Sequence, residues 1–405
     1  MNACEKPQRR SGSAEAESGL SLIELLVALA LGLIIVAALS QLFVNISRTN
    51  LEMAKTNSQI ENARVAMQFL RDDVVHAGFW GGFVPEFDDF SSIEEPEDYP
   101  TFLPDPCLDY ASWATTPDYK QNLVGIPIEV YGDGDLILGT CSAVIDERVS
   151  GTDVLVVRHA HTCAAGEGNC DDDGSNVNRI YFQSSNCADD IDDGDAYALD
   201  PNSLLLDKTC DVGAYAPKRK FVQSIYYIRN YANTAGDGIP TLVRSEFDFD
   251  PGDDTTPVQK DKDALDALVE GIEQFRVELG IDNVSESGVT LDPNDFDDAI
   301  EWEDKKNWVT ALNRGDGIPD EYIHCPSTPI SAPTPRCSLL ELTNAVTAKI
   351  YVLARAVQPS PGYTDTKKYR LGSGAEIDPV DKGYKRHVFS TTVRITNVSG
   401  RRETP

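Results

Sequence analysis

A single uncharged segment near the N-terminus constrains this chain more than any other feature. From Leu25 to Ser47 no residue is charged and none is proline. At a rise of about 1.5 Å per residue, a helix of this length crosses the hydrocarbon core of a bilayer. Glu24 lies directly before the segment, and a carboxylate is costly next to hydrocarbon. We therefore expect Glu24 to have a function.

The residues around Glu24 resemble the N-terminal signature of type IV prepilins. The matching run is Ser18-Gly19-Leu20-Ser21-Leu22-Ile23-Glu24-Leu25-Leu26. In that family a membrane prepilin peptidase cuts after the glycine, and the new N-terminus is methylated. The resemblance implies cleavage between Gly19 and Leu20 and N-methylation of Leu20. It also implies that Glu24 pairs with the N-terminal amine of an adjacent subunit during assembly.

Two later segments are similar to the PilW group of minor pilins. They are LRDDVVHAGFWG at 70–81 and VEGIEQFRVELGID at 269–282. The resemblance implies a low-copy subunit at the tip of a type IV pilus that primes assembly and supports adhesion or motility. The implied partners are other minor pilins, the major pilin, a tip adhesin and the prepilin peptidase, and no cofactor is implied.

The pattern predicts a long helix followed by a β-rich region. Between Arg48 and Gly78 the chain has no glycine or proline, so we expect one helix over 20–77. Apolar residues recur there at helical spacing; they are Ile60, Ala63, Met67, Leu70 and Val74. The predicted organisation is a leader at 1–19, an apolar half-helix at 20–48, an amphipathic half-helix at 49–78 and a globular domain at 79–405, with a sub-boundary near 262.

The globular domain is predicted to be antiparallel, because no long helices alternate with its strands. The fold class is therefore α+β, with the long helix packed on a large β-rich domain. Strands are predicted at 153–158, 179–182, 221–231, 241–244, 275–279, 346–352 and 389–395, and a helical patch at 264–268. The acidic runs at 171–173, 248–250 and 253–254 are interpreted as solvated loops.

The charge of the chain restricts its partners. It has 35 basic and 66 acidic residues, a formal net charge of −31. This charge excludes nucleic acid as a partner, because a phosphate backbone would be repelled. Lys6, Arg9 and Arg10 precede the apolar segment. The positive-inside rule then places the leader in the cytoplasm and the globular domain outside the inner membrane.

The cysteines indicate an oxidising compartment. Cys4 lies in the predicted leader, which leaves an even number in the mature chain. Sequence alone cannot choose among about 105 pairings, although short turn-rich loops favour Cys163 with Cys170 and Cys325 with Cys337. The eight disulfide candidates are Cys107, Cys141, Cys163, Cys170, Cys187, Cys210, Cys325 and Cys337.

Two segments have some features of metal sites. His159, His161, Cys163 and Cys170 could supply two imidazoles and two thiolates to zinc, but exported thiols favour a disulfide. The segment 313–321, NRGDGIPDE, resembles part of a calcium loop, with Asp316 and Asp320 as candidate ligands. The EF-hand pattern is incomplete there.

No enzyme motif is present. The sequence has no phosphate-binding loop, nucleophile elbow or paired-histidine metalloprotease motif, so we expect a structural protein. Two alternatives remain open. One is the J-type pseudopilin of a type II secretion system, which shares the anchor. The other is a membrane-tethered ectodomain that binds a ligand or hydrolyses a substrate.

Overall fold

The computed structural model describes residues 21–88, 98–132, 141–168, 170–172, 174, 176, 178–250, 253–261, 263–284, 288, 290, 315–325 and 337–403. These residues form two compact units, the first ending at Ala54 and the second beginning at Lys55. The predicted leader, with Gly19 and Leu20, lies outside the described residues. The division into units falls six residues after the predicted change at 48/49.

One long helix, α1, begins the described chain. It spans Leu22–His76, close to the predicted range of 20–77. Gly32 is the one glycine in this range, and proline is absent from it. The helix ends before Gly78, whose φ of +73° is a left-handed conformation that glycine adopts without strain. The prediction of one long helix is confirmed.

The remaining elements are mostly short strands. A 3₁₀ turn spans Glu86–Asp88. The helices are α2 (Tyr110–Trp113), α3 (Tyr119–Gly125), α4 (Ala188–Asp192), α5 (Leu339–Thr343) and α6 (Thr396–Arg402). The first eight strands are β1 (Ile128–Tyr131), β2 (Val154–Ala160), β3 (Tyr181–Ser184), β4 (Tyr197–Asp200), β5 (Arg219–Arg229), β6 (Thr241–Asp250), β7 (Asp253–Gln259) and β8 (Asp266–Glu270). The last four are β9 (Ile272–Ile281), β10 (Glu321–His324), β11 (Ala345–Arg355) and β12 (Arg386–Arg394).

The strands form two antiparallel sheets. The first sheet has the order β1-β2-β5-β3-β4, and β6 joins it by pairing with β5, β7 and β8. The second sheet has the order β10-β9-β11-β12. Every pairing between these strands is antiparallel. The α+β fold class and the antiparallel β-rich domain are therefore confirmed.

The chain changes from the first sheet to the second at Gly271. This residue has a φ of +79°, and a Cβ there would lie 2.7 Å from the carbonyl oxygen of Arg355. Its N–H donates to Pro240 O at 2.7 Å, and its carbonyl accepts from Arg355 N at 2.8 Å. Both the conformation and the close approach require glycine.

One hydrophobic core contains residues of both sheets and of the second half of α1. Ala63, Ala66 and Ala77 are fully buried in it. Their small side chains let the helix backbone approach the sheets closely. Val277 of β9 lies opposite Ile350 of β11 across the second sheet, and both are fully buried. The strand predicted at 275–279 is confirmed, although Glu278 between its apolar residues is also buried, at 5% exposed.

Two expectations about local structure are wrong. The predicted helical patch at 264–268 is largely strand, because β8 pairs with β6 from Asp266 onward. Asp248 is not in a solvated loop, because it lies in β6 and its carboxylate contacts Lys220 and Arg179. Residue 262, at the predicted sub-boundary, lies outside the described residues, and the sub-boundary stays a prediction.

Candidate assembly interface

The first unit contains an exposed apolar helical segment that begins with one acidic residue, Glu24. The large apolar side chains from Leu22 to Val44 are all exposed, and Glu24 is the one charged residue between Leu22 and Ser47. Within the described residues, α1 is the helix that is long and apolar enough to cross a membrane. This surface has the composition of a membrane span or of a helix that packs against apolar neighbours.

Glu24 closes the first turn of this helix. Its Oε2 accepts the backbone N–H of Ser21 at 2.9 Å. The N–H groups of the first turn have no partner within a helix, so this contact satisfies one of them. An ionised carboxylate offers about four lone-pair sites. Glu24 can therefore keep this contact and accept a second donor from outside the chain.

The second half of α1 packs through a row of buried side chains that differs in part from the predicted apolar stripe. The buried residues are Gln59, Ala63, Ala66, Leu70 and Val74. Ile60, expected in the stripe, is 39% exposed. The Gln59 amide instead donates to Ala354 O at 2.6 Å, and Asn62 Nδ2 donates to Glu270 O at 3.0 Å. Ala63, Leu70 and Val74 are buried as predicted, whereas Gln59 and Ala66 are buried in place of Ile60 and Met67.

A buried polar cluster fixes the last turns of α1. Asp73 Oδ1 lies 2.9 Å from His159 Nε2 on β2, and the Tyr226 hydroxyl on β5 donates to Asp73 Oδ2 at 2.8 Å. Burial raises the pKa of Asp73, but the hydrogen bond and charge of His159 and the Tyr226 hydroxyl outweigh it and hold the pKa below 3.8. The other ring nitrogen of His159 lies 2.9 Å from Ala160 O. Asp73 thus joins the helix to two strands of the first sheet.

The segment that resembles the PilW helix exit leads the chain from the end of α1 into a cluster of aromatic side chains. Gly78 N donates to Arg158 O, and Ala160 N donates to Phe79 O. Trp80 is 1% exposed, and its indole N–H donates to Val124 O at 3.1 Å. Its ring lies 5.1 Å from that of Phe182. The aromatic residues of 79–83 therefore anchor the helix exit in the first sheet.

The second PilW-like segment forms β9 and connects the two sheets. Asp153, next to β2, accepts Val277 N at 2.8 Å and lies 3.0 Å from His324 Nε2 on β10. At the end of β9, Asp282 is fully buried and accepts the N–H groups of Asp316 and Gly317. Burial raises the pKa of Asp282 to about 6 although Arg402 opposes the shift.

All eight predicted mature cysteines form disulfides. The pairs are Cys107–Cys141, Cys163–Cys170, Cys187–Cys210 and Cys325–Cys337. The second and fourth are the short-loop pairs that sequence spacing favoured. The other two pairs also join cysteines that are neighbours in the sequence order.

The disulfide that the sequence favoured over a zinc site is present. Cys163 and Cys170 are bonded to each other, so neither offers a thiolate. His159 is buried against Asp73, whereas His161 lies on the exposed side with Nδ1 3.1 Å from Cys163 Sγ. The four residues do not converge on one point.

The carboxylates of the two calcium candidates accept hydrogen bonds from backbone N–H groups of the chain. Asp316 Oδ1 accepts the N–H of Ile318 at 2.9 Å. Asp320 Oδ2 accepts the N–H groups of Asn283 and Val284, both at 2.9 Å. These contacts close the turns before β10. Calcium binding at Asp316 and Asp320 stays a prediction.

Sequence reasoning missed the residues that hold α1 in place. Asp73 lies in a segment that the sequence singled out, but its partner His159 is 86 residues away. No local periodicity links two residues at that separation. The available signal was chemical: an acid and a histidine, each next to apolar residues, need partners when they are buried.

Comparison with known proteins supports the pilin resemblance. Residues 225–397 match a family model described as "PilW: Type IV Pilus-assembly protein W". A type IV-like pilin from Thermus thermophilus is similar over 63% of this chain and 82% of its own, at 11% identity and a TM-score of 0.22. A TM-score of 0.22 does not establish a shared fold. No curated protein matches the chain in sequence. The match over residues 225–397 confirms the resemblance to the PilW family.

Proposed function

We propose, from the match of residues 225–397 to the PilW family of type IV pilus-assembly proteins, that this chain is a minor pilin of the tip complex. It would be present in few copies, prime assembly of the fibre, and support adhesion or motility. Its role would be structural rather than catalytic. The PilW match favours this function over the pseudopilin of a type II secretion system.

The observation that carries the proposal is the position of Glu24 next to the uncharged apolar segment of α1 from Leu25 to Ser47. In a fibre core, this surface would pack against the same apolar surface of neighbouring subunits. A single carboxylate there needs a cation, because an unpaired charge in apolar surroundings is strongly unfavourable. The N-terminal amine of an adjacent subunit would supply it and set the axial register.

Maturation would create that amine. Prepilin peptidase would cut between Gly19 and Leu20, and Leu20 would then be N-methylated. Before assembly, α1 would hold the chain in the inner membrane, with the leader in the cytoplasm and the globular domain outside. The partners at the tip would be other minor pilins, the major pilin and a tip adhesin.

The test uses two substitutions that separate the charge of Glu24 from its contact with Ser21. Glu24→Gln keeps a carbonyl oxygen that can accept the Ser21 N–H but removes the charge. Glu24→Ala removes both. We expect both variants to enter the membrane and to be depleted from sheared fibres, because loss of the charge leaves the neighbouring amine unpaired at a cost of about 3–5 kcal/mol.

Glu61→Ala is the matched control, because Glu61 is an exposed acid farther along α1. It should assemble as the wild type does. Normal incorporation of Glu24→Gln into fibres would contradict the charge-pairing role, even if Glu24→Ala failed.

A further inference from the structure

A cavity of about 370 Å³ lies within the second unit beside α1. The helix supplies one wall, β12 supplies another, and the loop after β11 closes the side. This volume is within the range of binding sites for small ligands, and it accommodates a few side chains of a peptide. The lining residues are Thr56, Gln59, Ile60, Tyr363, Lys367, Lys385, Arg386, His387 and Phe389.

Part of the cavity wall is apolar, and this apolar surface is still exposed. Ile60 is 39% exposed although it lies one position from the buried face of α1. Phe389 packs partly against the core, and its ring meets that of His387 edge-on at 4.8 Å. An apolar side chain from another molecule would bury the exposed surface of Ile60 here.

The polar part of the cavity is cationic. The Arg386 guanidinium already forms ion pairs with Glu273 and Asp365. The Lys367 ammonium, by contrast, has no ion-pair partner among the described residues, and its side chain is exposed. Lys367 and His387 therefore offer N–H donors at the mouth of the cavity.

This cationic character is unusual for the chain. Residues 345–403 contain eleven basic and five acidic residues, whereas the whole chain contains 35 basic and 66 acidic residues. The part of the chain that supplies most of the cavity is therefore positive within a strongly negative protein. The cationic side chains that line the cavity attract negatively charged partners.

We propose that this cavity binds an acidic segment of another subunit of the fibre. An apolar side chain of that segment would pack between Ile60 and Phe389, and its carboxylates would contact Lys367 and His387. The identity of the partner as a fibre subunit rests on the proposed function. The chemistry of the site, an apolar group flanked by carboxylates, rests only on the cavity and its charges.

The first experiment tests the chemistry with the full chain in detergent. The probe is a synthetic peptide with a central phenylalanine flanked by two aspartates on each side, and its counterpart with lysine in place of aspartate. We expect the acidic peptide alone to bind. Lys367→Gln should weaken binding about fivefold, the effect of removing one partly screened charge pair.

Lys368→Gln is the matched control, because it removes the same charge from the next residue. The Lys368 ammonium contacts Glu376 instead, and it is 59% exposed. It should change binding less than about twofold. No binding of the acidic peptide, or equal losses in the two variants, would overturn the proposal.

The second experiment identifies the occupant in cells. A photo-crosslinking amino acid replaces Ile60 in one strain and Phe69 in another, because these α1 residues are 39% and 40% exposed. We expect the Ile60 position alone to crosslink an acidic peptide of a different fibre subunit. A crosslink to a second copy of this chain, or the same products from both positions, would overturn the proposal.

The two experiments distinguish the failure of this inference from the failure of the proposed function. Peptide binding does not require fibres, so a chain without a role in pili would still bind the probe through Lys367. Conversely, loss of assembly in the Glu24 variants supports the minor-pilin function whether or not the probe binds.

Discussion

Asp73 on α1 and His159 on β2 form a contact of 2.9 Å between two side chains that are 12% and 10% exposed. Tyr226 on β5 binds the second oxygen of the same carboxylate. A helix that is anchored in this way cannot rotate or slide on the sheet without leaving a buried charge unpaired. The contact therefore fixes the position of α1 in the second unit more strictly than apolar packing alone.

Removing His159 should destabilise the second unit strongly. His159→Ala leaves the Asp73 carboxylate buried with only hydroxyl partners, so we expect the free energy of unfolding to fall by about 3–5 kcal/mol. Denaturant titration followed by tryptophan fluorescence measures this change. His161→Ala, two residues on and exposed, should stay within about 0.5 kcal/mol of the wild type. Equal effects of the two substitutions would refute the role of the Asp73 contact.

Trp80 should contribute a large share of the stability at the helix exit. It is 1% exposed and packs between Phe182 and Phe221. Trp80→Ala should lower the free energy of unfolding by about 3–5 kcal/mol through lost burial and a residual cavity. Phe69→Ala provides the comparison, because Phe69 is 40% exposed on α1, and we expect a loss of about 1 kcal/mol or less. Thermal unfolding of both variants would show the difference, and similar midpoints would contradict it.

Much of the fold could be predicted because its strongest signals are local. Helix α1 follows from an uninterrupted run without proline, and the alternation of Phe275, Val277 and Leu279 marks β9 as a strand. The segment 264–268 was misread because its short pattern fits a helix, whereas pairing with β6 decides its structure. Ile60 was placed on the wrong face because the Gln59 amide finds a carbonyl partner on β11, a contact that no helical wheel contains.

Of the candidate functional residues, only Glu24 near the N-terminus could be predicted, because its signal is also local. Glu24 stands out within its own segment. The cavity at Lys367 and His387 forms where α1 meets residues about 300 positions later, and composition could show only that residues 345–403 are basic. Long-range juxtaposition depends on the packing of the whole domain, so local patterns carry little information about it.

The disulfides should differ in their contribution according to the loops that they close. Cys107–Cys141 spans 34 residues, and Cys163–Cys170 spans 7. In the loop-entropy model, replacing the first pair with serines should cost about 4 kcal/mol and replacing the second about 2 kcal/mol. Unfolding of the two double variants under non-reducing conditions measures the order. A larger loss for the Cys163–Cys170 variant would show that local structure outweighs chain entropy here.

Asp282 should make stability fall with rising pH. Burial raises its folded-state pKa to about 6, whereas an unfolded aspartate has a pKa of about 3.9. Between these values the folded state binds more protons, so the contribution of this group to the free energy of unfolding decreases as the pH rises from about 4 to above 6. The full change is about 3 kcal/mol.

Asp282→Asn removes that titration. The wild type should therefore lose about 2 kcal/mol relative to this variant between pH 4 and pH 7, as measured by denaturant unfolding at each pH. Burial also raises the pKa of Asp98 to about 6. The wild type should therefore also lose stability relative to Asp98→Asn as the pH rises. Parallel stability curves for the wild type and Asp282→Asn would rule out the buried, protonatable carboxyl.

The N-terminus of the assembled chain should be Leu20 carrying one methyl group. Cleavage after Gly19 removes Lys6, Arg9 and Arg10, and it places the new amine within the same apolar surface as Glu24. A retained leader would instead place three cations and three acids where a neighbouring helix must pack, which is costly in apolar surroundings. Gly19→Val should therefore stay in the membrane as the full-length chain and be missing from fibres, whereas Ser18→Ala should mature normally. Intact-mass measurement of membrane and fibre fractions decides between these outcomes, and fibres built from chains that still begin at Met1 would refute the assembly role assigned to Glu24.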